Sequence, residues 1–271
     1  MKRNFAVVAL SLGVGTALVP APASAQVNDQ WQYSAIIYGW LPRIDGKTKF
    51  PAATGGSDID VDASTILDHL KFTFMGTLEA QKGRWGVFTD VIYLDVGGSK
   101  SQTRDVNIGG IPLPGGVTAD LNFDLKATLW TIAGEYRVAT DKWSNVDVLA
   151  GARLADVKQS LGWNFSADLG PLNPSRSGNQ EINISKWDAI IGAKGRVAIT
   201  DDRTWFVPWY LDVGTGQTDL TWQAIGGVGY AFTWGEVIAA WRYMDYNFKS
   251  GSPIEKLNFN GPAIGVAFHW Q

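Results

Sequence analysis

Residues 71–95 read KFTFMGTLEAQKGRWGVFTDVIYLD, and their alternation decides the fold. Phe72, Phe74, Gly76, Leu78 and Ala80 fall on one phase and Thr73, Met75, Thr77, Glu79 and Gln81 on the other, the period-two signature of a strand with an apolar and a polar face. Lys82, Gly83 and Arg84 then turn the chain. Beyond the turn both phases carry apolar residues, and Asp90 chooses between them. A carboxylate on a lipid-facing position near mid-membrane costs on the order of a few kcal/mol, so the face of Trp85, Val87, Thr89, Val91 and Tyr93 points outward. The pairing this predicts sets Leu78 opposite Val87 and Phe74 opposite Val91. Trp85 and Tyr93 stand about 26 Å apart along such a strand, or roughly 20 Å along the normal at a tilt near 40°, close to the height of a membrane band.

The same alternation recurs along the chain. From Asp120 to Gly134 the phase of Leu121, Phe123, Leu125, Ala127 and Leu129 alternates with that of Asp120, Asn122, Asp124, Lys126 and Thr128. From Asp219 to Phe232, Leu220, Trp222, Ala224, Val228 and Tyr230 alternate with polar or small residues. Reading the apolar phase as lipid-facing each time puts Lys126, Trp130 and Tyr136 in the interior, beside Phe88 and Tyr210. A tryptophan stands at each short turn or chain end: Trp31, Trp85, Trp143, Trp205, Trp234 and Trp270. Indoles favour the headgroup level, so these six predict an aromatic girdle on the short-turn side of a barrel.

Counting turns gives ten strands: Trp31–Leu41, Lys71–Gln81, Trp85–Val96, Ala119–Arg137, Asn145–Lys158, Ile182–Ile199, Trp205–Gly214, Asp219–Phe232, Val237–Phe248 and Leu257–Trp270. Short turns alternate with longer loops near 42–70, 97–118, 159–181 and 249–256, the asymmetry of a transmembrane, antiparallel, up-and-down, all-β barrel. A hairpin through Lys47–Phe50 and Ile59–Asp62 would raise the count to twelve, and pairing of two strands only outside the membrane would lower it to eight.

Composition agrees. Of 271 residues 45% are hydrophobic and only 18% charged, with 31 Gly, 13 Trp and no Cys, which excludes disulfide scaffolds, thiolate metal sites and cysteine nucleophiles. Lys2 and Arg3, an apolar run from Phe5 to Val19 and Ala23-Ser24-Ala25 predict a secretory signal peptide over residues 1–25, with the barrel domain over 26–271. Cleavage leaves 21 basic against 26 acidic residues, a net of −5, which speaks against a nucleic-acid partner. No later run reaches the length of a transmembrane helix.

Four stretches carry a family likeness: residues 71–95 above, TDLTWQAIGGVGYAF from Thr218, WRYMDYNF from Trp241 and GPAIGVAFHW from Gly261. They resemble an uncharacterised, porin-like family of proteobacterial outer-membrane β-barrel proteins, over nearly all of the mature chain. The resemblance implies a Gram-negative outer membrane and contacts with its lipid and lipopolysaccharide. Gly265, Phe268 and Trp270 also resemble the C-terminal strand read by the barrel-assembly machinery, with Gln271 as one residue beyond the usual terminal aromatic.

The predicted lumen collects Glu79, Asp90, Lys126, Asp147, Arg153, Asp188, Lys194, Arg196, Asp212 and Arg242. Interior charges must be hydrated or paired, so the lining predicts either a narrow aqueous route for ions or small polar solutes, or a plug of ion pairs in a non-conducting barrel that stabilises the envelope or presents loops. The expectation is a small porin-like channel, with the closed barrel as the alternative and an outer-membrane enzyme, which would need partners converging on His69, as a third reading. No catalytic, metal or cofactor constellation is expected. The two histidines are His69, in a short helical segment Thr65–Leu70 capped by Ser64, and His269, at the opposite end with its phase inward. Asp58, Asp60 and Asp62 fail the calcium-loop register, with Ala63 where glycine is required, and are read as a solvated acidic edge. Gly226, Gly227 and Gly229 lie within a strand and so mark close approach rather than a phosphate loop.

Overall fold

The computed structural model describes residues 29–48, 57–61, 63–108, 111–167 and 175–271. The signal segment lies outside them, as do Asp62 and the loop 171–174. Ten strands close into a barrel: β1 (Trp31–Trp40), β4 (Leu70–Lys82), β5 (Trp85–Ile108), β6 (Ile111–Thr140), β7 (Ser144–Ala167), β8 (Ser175–Ala198), β9 (Trp205–Gly216), β10 (Thr218–Ala231), β11 (Glu236–Phe248) and β12 (Ile254–Trp270). Each pairs antiparallel with its neighbour in this order, and β1 against β12, from Tyr33 opposite Trp270 to Trp40 opposite Ala263, closes the ring. Closure leaves no sheet edge in lipid, where an unpaired backbone could find no water.

The hairpin of β2 (Arg43–Thr48) and β3 (Ser57–Val61) stacks on the upper part of β12, and a short helix α1 (Ala63–Asp68) leads from it into β4. The hairpin therefore extends the wall beyond the ring rather than adding two strands to it. Three further expectations change. The two-residue turn Gly83-Arg84, with Gly83 at φ 61°, sets Lys82 opposite Trp85, so Leu78 faces Thr89 and Phe74 faces Tyr93, two residues from the expected register. The stretches read as loops at 97–108, 111–118, 159–167 and 175–181 are strand, so that β5 to β8 each run 24 to 30 residues and stand far above the rest of the wall. The third change is in β6.

In β6 the apolar phase faces inward. Ala127 opposes buried Leu94 and Leu129 opposes buried Ile92, while Lys126, Trp130 and Tyr136 lie on the outer face. The reason is visible along the strand. Up to Trp130 the wall stands in water and, like any soluble sheet, turns apolar residues in and polar ones out. Beyond it the wall stands in lipid, where the outer face is Trp130, Ile132 and Tyr136 and the inner one Thr131, Glu135 and Arg137. The switch recurs in β11, where inner Met244, Tyr246 and Phe248 are above inner Arg242, and on the outer phase Asn247 and Asp245, the latter buried under Asn247, Asn258 and Lys256, are above Trp241. One chain thus obeys two solvent rules in succession.

Candidate functional site: the lumen and its closure

All six turn tryptophans are exposed. At one end of the barrel Trp31 stacks on Tyr33, Tyr33 on Trp270, Trp205 packs on Tyr230, Phe232 on Trp234, and Trp234 on Phe268, while Trp85 meets Tyr136 at 4.7 Å. A second belt higher up pairs Phe72 with Tyr93, Trp130 with Trp187 and Trp222 with Tyr243. Exposed Ile37, Leu78, Ile191, Leu211 and Ile264 fill the band between. Two aromatic belts around an apolar band are the mark of a wall built for lipid.

Inside, the charges form tiers. Nearest the short-turn end, which in such barrels faces the periplasm, Arg196 donates to Glu236 at 2.7 Å and lies over the Phe206 ring, with His269 Nε2 3.3 Å from the same carboxylate. Next, Lys194 bridges Glu79 at 2.6 Å and Glu135 at 2.7 Å, and Arg137 holds Asp147 through two bonds. Deeper, Arg242 donates to Asp90, to the Tyr38 hydroxyl and to Gln223, while Thr77 also donates to Asp90. Beside this tier Arg153, fully buried, makes a bidentate pair with Asp212 and donates to Thr131; Tyr210 donates to Asp212 as well. Asp188 accepts from the backbone N–H and hydroxyl of Thr218, pinning the hairpin of β9 and β10.

Nine of the ten expected lining residues therefore sit on the inner face. Lys126 does not: it is on the outer face of β6, 3.3 Å from Asp95, because that part of the strand is above the lipid band. The same phase inversion hid Glu135 and Arg137, which alternate with the outward set; Gln223 was legible as an inward phase but carries no isolated signal of pairing, while Glu236 fell before the strand expected to start at Val237. Two of the three glycines serve packing: a side chain at Gly229 would run into the Phe206 ring and one at Gly227 into Ala240, whereas Gly226 meets nothing.

Above the charged tiers the interior changes character. Trp40, Ile44, Ile66, Met75, Ile92, Leu94, Val157, Met244, Tyr246, Phe248, Leu257 and Phe259 belong to one buried cluster, to which α1, β2 and every barrel strand except β9 and β10 contribute. Ile66 of α1 is its helical member, at 4% exposure. Trp40 joins the two regions, its indole lying 5.0 Å from the Arg242 guanidinium. Below the Arg242 tier a cavity of about 620 Å³ opens at the short-turn end, bounded by Gln32, Gln81, Asn145, His269 and Gln271 at its mouth and by Asp90, Arg242 and Tyr210 at depth. Its β10 to β12 side is apolar and small, with Ile225, Ile238, Ala263 and Ala267, and its opposite side is ionic. His69 lies outside this space, against Gly98 of β5.

The chain is a transmembrane antiparallel β-barrel protein. No protein-family model matches it, and neither does any curated protein. Among solved structures it is similar to the outer membrane protease OmpT of Escherichia coli, at 11% identity and a TM-score of 0.42 over 92% of this chain and 99% of that one. It is similar also to the attachment invasion locus protein Ail of Yersinia pestis, at 11% identity and TM-score 0.29 over 89% and 98%. The translocator domain of the autotransporter NalP of Neisseria meningitidis gives 15%, 0.36 and 88% of each chain. These likenesses transfer no residue roles and no substrates.

Proposed function

We propose that this protein is a non-conducting outer-membrane barrel that works through its external surface. The observation that carries this reading is the apolar cluster spanning the interior above Arg153 and Arg242. An ion crossing it would shed its water against Met, Phe, Leu and Ile side chains, and the buried Tyr246 hydroxyl in the cluster is far too little to replace the lost hydration. The tiers beneath it are paired charges, consistent with a stabilising plug. The tall strands β5 to β8 supply the external surface, and no catalytic step enters the proposal.

A narrow channel is the second reading. The periplasm-facing cavity favours it, since water already has room to reach the Arg242 tier; conduction would then require the apolar cluster, α1 included, to part.

Planar-bilayer recording of the signal-free chain, after heat-modifiable gel mobility has verified a folded barrel, tests the two. A folded barrel without discrete current steps supports the sealed reading. Steps that change when Asp90 or Arg242 is neutralised overturn it in favour of the channel.

A further inference from the structure

The cavity below the Arg242 tier, about 620 Å³, is of the size of small-molecule sites, which span roughly 300–1,000 Å³. Three of its cations are matched one to one. Arg242 holds Asp90, Arg137 holds Asp147 and Arg196 holds Glu236, the last also within reach of half-exposed His269 at the mouth. Lys194 is the exception, since it holds both Glu79 and Glu135, so that two carboxylates share one ammonium. Glu135 is enclosed, with no side-chain exposure, whereas Glu79 keeps 24% and lines the cavity. Of the two acids short of a counter-charge, Glu79 is the one a solute can reach.

Two residues along β4, on the same face and about 7 Å away, stands Gln81. It lines the mouth of the cavity and is 6% exposed, yet its Nε2 has no hydrogen-bond partner. The reason lies across the strands. Gln81 opposes Gly86, which offers no side chain, and Glu135 opposes Gly86 from β6, folded over it so that a Cβ there would run into the carboxylate. Glu135 Oε1 is likewise without a hydrogen bond. Buried donors are seldom left unpaired, because nothing then replaces their hydration. On the other side of the cavity Ile36, Ile225, Ile238, Ala240 and Ala263 offer only apolar contact. One space therefore presents an under-compensated carboxylate, an unpaired amide donor beside it and an apolar wall facing both.

We propose that the cavity binds a small organic monocation, with its ammonium against Glu79, a neighbouring carbonyl or hydroxyl oxygen accepting from Gln81 Nε2, and an apolar body on the wall of Ile225, Ile238 and Ala240. Charge selects this class. An anion would have to displace a carboxylate already seated on each cation, and would add to an excess of acid. An uncharged molecule would leave Glu79 and Glu135 sharing Lys194. A ligand ammonium supplies the second counter-charge in a space that the apolar cluster closes from above, where the low dielectric strengthens the attraction. Entry is from the short-turn end, the periplasmic side in such barrels. The inference does not rest on the sealed lumen: a conducting barrel would keep the same lining, and binding is read separately from current.

The test uses the full mature chain folded in nonionic detergent, with empty micelles as the blank and ligand-observed NMR as the readout. Its probes share one apolar body: leucinamide, 4-methylpentanamide, which lacks the ammonium, 3-methylbutylamine, which lacks the carbonyl, and leucine, whose carboxylate replaces the amide. Leucinamide should bind saturably and at least tenfold more tightly than each of the others. Glu79→Gln should bring leucinamide down to the affinity of the uncharged amide. Gln81→Leu should bring it down to that of 3-methylbutylamine and leave the amine itself unchanged. Heat-modifiable mobility verifies that each variant is folded; where one is not, Ala240→Leu, which fills the apolar side, should weaken leucinamide at least tenfold. Four results overturn the site: no saturable binding of leucinamide by the unmodified chain, equal affinity for the uncharged amide, undiminished affinity in a folded Glu79→Gln or Ala240→Leu chain, or no effect of Gln81→Leu, which would mean that this amide serves Glu135 and not a ligand.

Discussion

Arg153 on β7 and Asp212 on β9, 59 residues apart in sequence, meet inside the barrel as a bidentate pair with neither side chain exposed. Thr131 accepts from Arg153 Nε and Tyr210 donates to Asp212, so the pair is held from several strands at once. Removing one partner leaves a buried charge without its counterion, which costs roughly 3–5 kcal/mol, whereas an apolar pair of similar volume is often close to neutral. Asp212→Ala should therefore lower the urea midpoint strongly, and Arg153→Met with Asp212→Leu should recover most of the loss. Tryptophan fluorescence during urea unfolding in detergent measures both. A double variant as unstable as the single one would count against the pair as a replaceable plug.

Gly229 and Phe206 give a second case. The ring, 1% exposed, occupies the space where a β10 side chain would otherwise project. Gly229→Ala should cost about 1–3 kcal/mol through overpacking, and Phe206→Leu in the same chain should relieve part of it. At Gly226, on the outer phase, nothing lies within 4 Å of an added Cβ, so Gly226→Ala should change stability by less than about 0.5 kcal/mol. Equal effects at the two glycines in the same unfolding assay would show that the crowding is not real.

Most of the barrel was legible because lipid and water impose opposite alternations, and Asp90 supplied the phase for β4 and β5. The short-turn tryptophans were legible because turn position and indole chemistry agree. What escaped reading was the height at which the surroundings change. In β6 the sequence from Asp120 to Leu129 has a clean apolar phase, but that phase faces lipid only if the segment is in the membrane; being above it, the phase turns inward and carries Lys126 outward. Long strands beyond the bilayer look like loops when Pro and Gly are frequent, as at Pro112–Gly116. The closure by Trp40 and Tyr246 was not legible, since it depends on strands far apart in sequence converging above the charged tiers.

The change of surroundings along β6 and β8 can be measured directly, since the chain has no native cysteine to compete with an introduced label. A spin label at Ile191→Cys, exposed between the two belts, should collide readily with oxygen and poorly with a water-soluble nickel chelate. At Lys126→Cys, above Trp130 on the outer face, the order should reverse. Chelate protection at position 126 equal to that at 191 in bilayers would place the lipid boundary higher than the aromatic belt.

The short turns should make stability depend on acid. Backbone N–H bonds from Trp143 and Ser144, together with the Ser144 hydroxyl, hold the Asp141 carboxyl below its ordinary range. Hydroxyl bonds from Thr200 and Thr204 and the Thr204 N–H lower Asp202 likewise. A depressed folded-state pKa means that the unfolded chain binds the proton first, so the contribution is complete above the unfolded value of about 3.9 and is lost as pH falls through the folded one. Asp141→Asn and Asp202→Asn should each lower the thermal midpoint at pH 7, and the gap to the unmodified chain should close below the ordinary carboxylate range. Heat-modifiable mobility across pH 2.5 to 7, as an approximate working span for these carboxylates, reads the effect; a gap that persists unchanged at the acid end would mean that the aspartates act through something other than their charge.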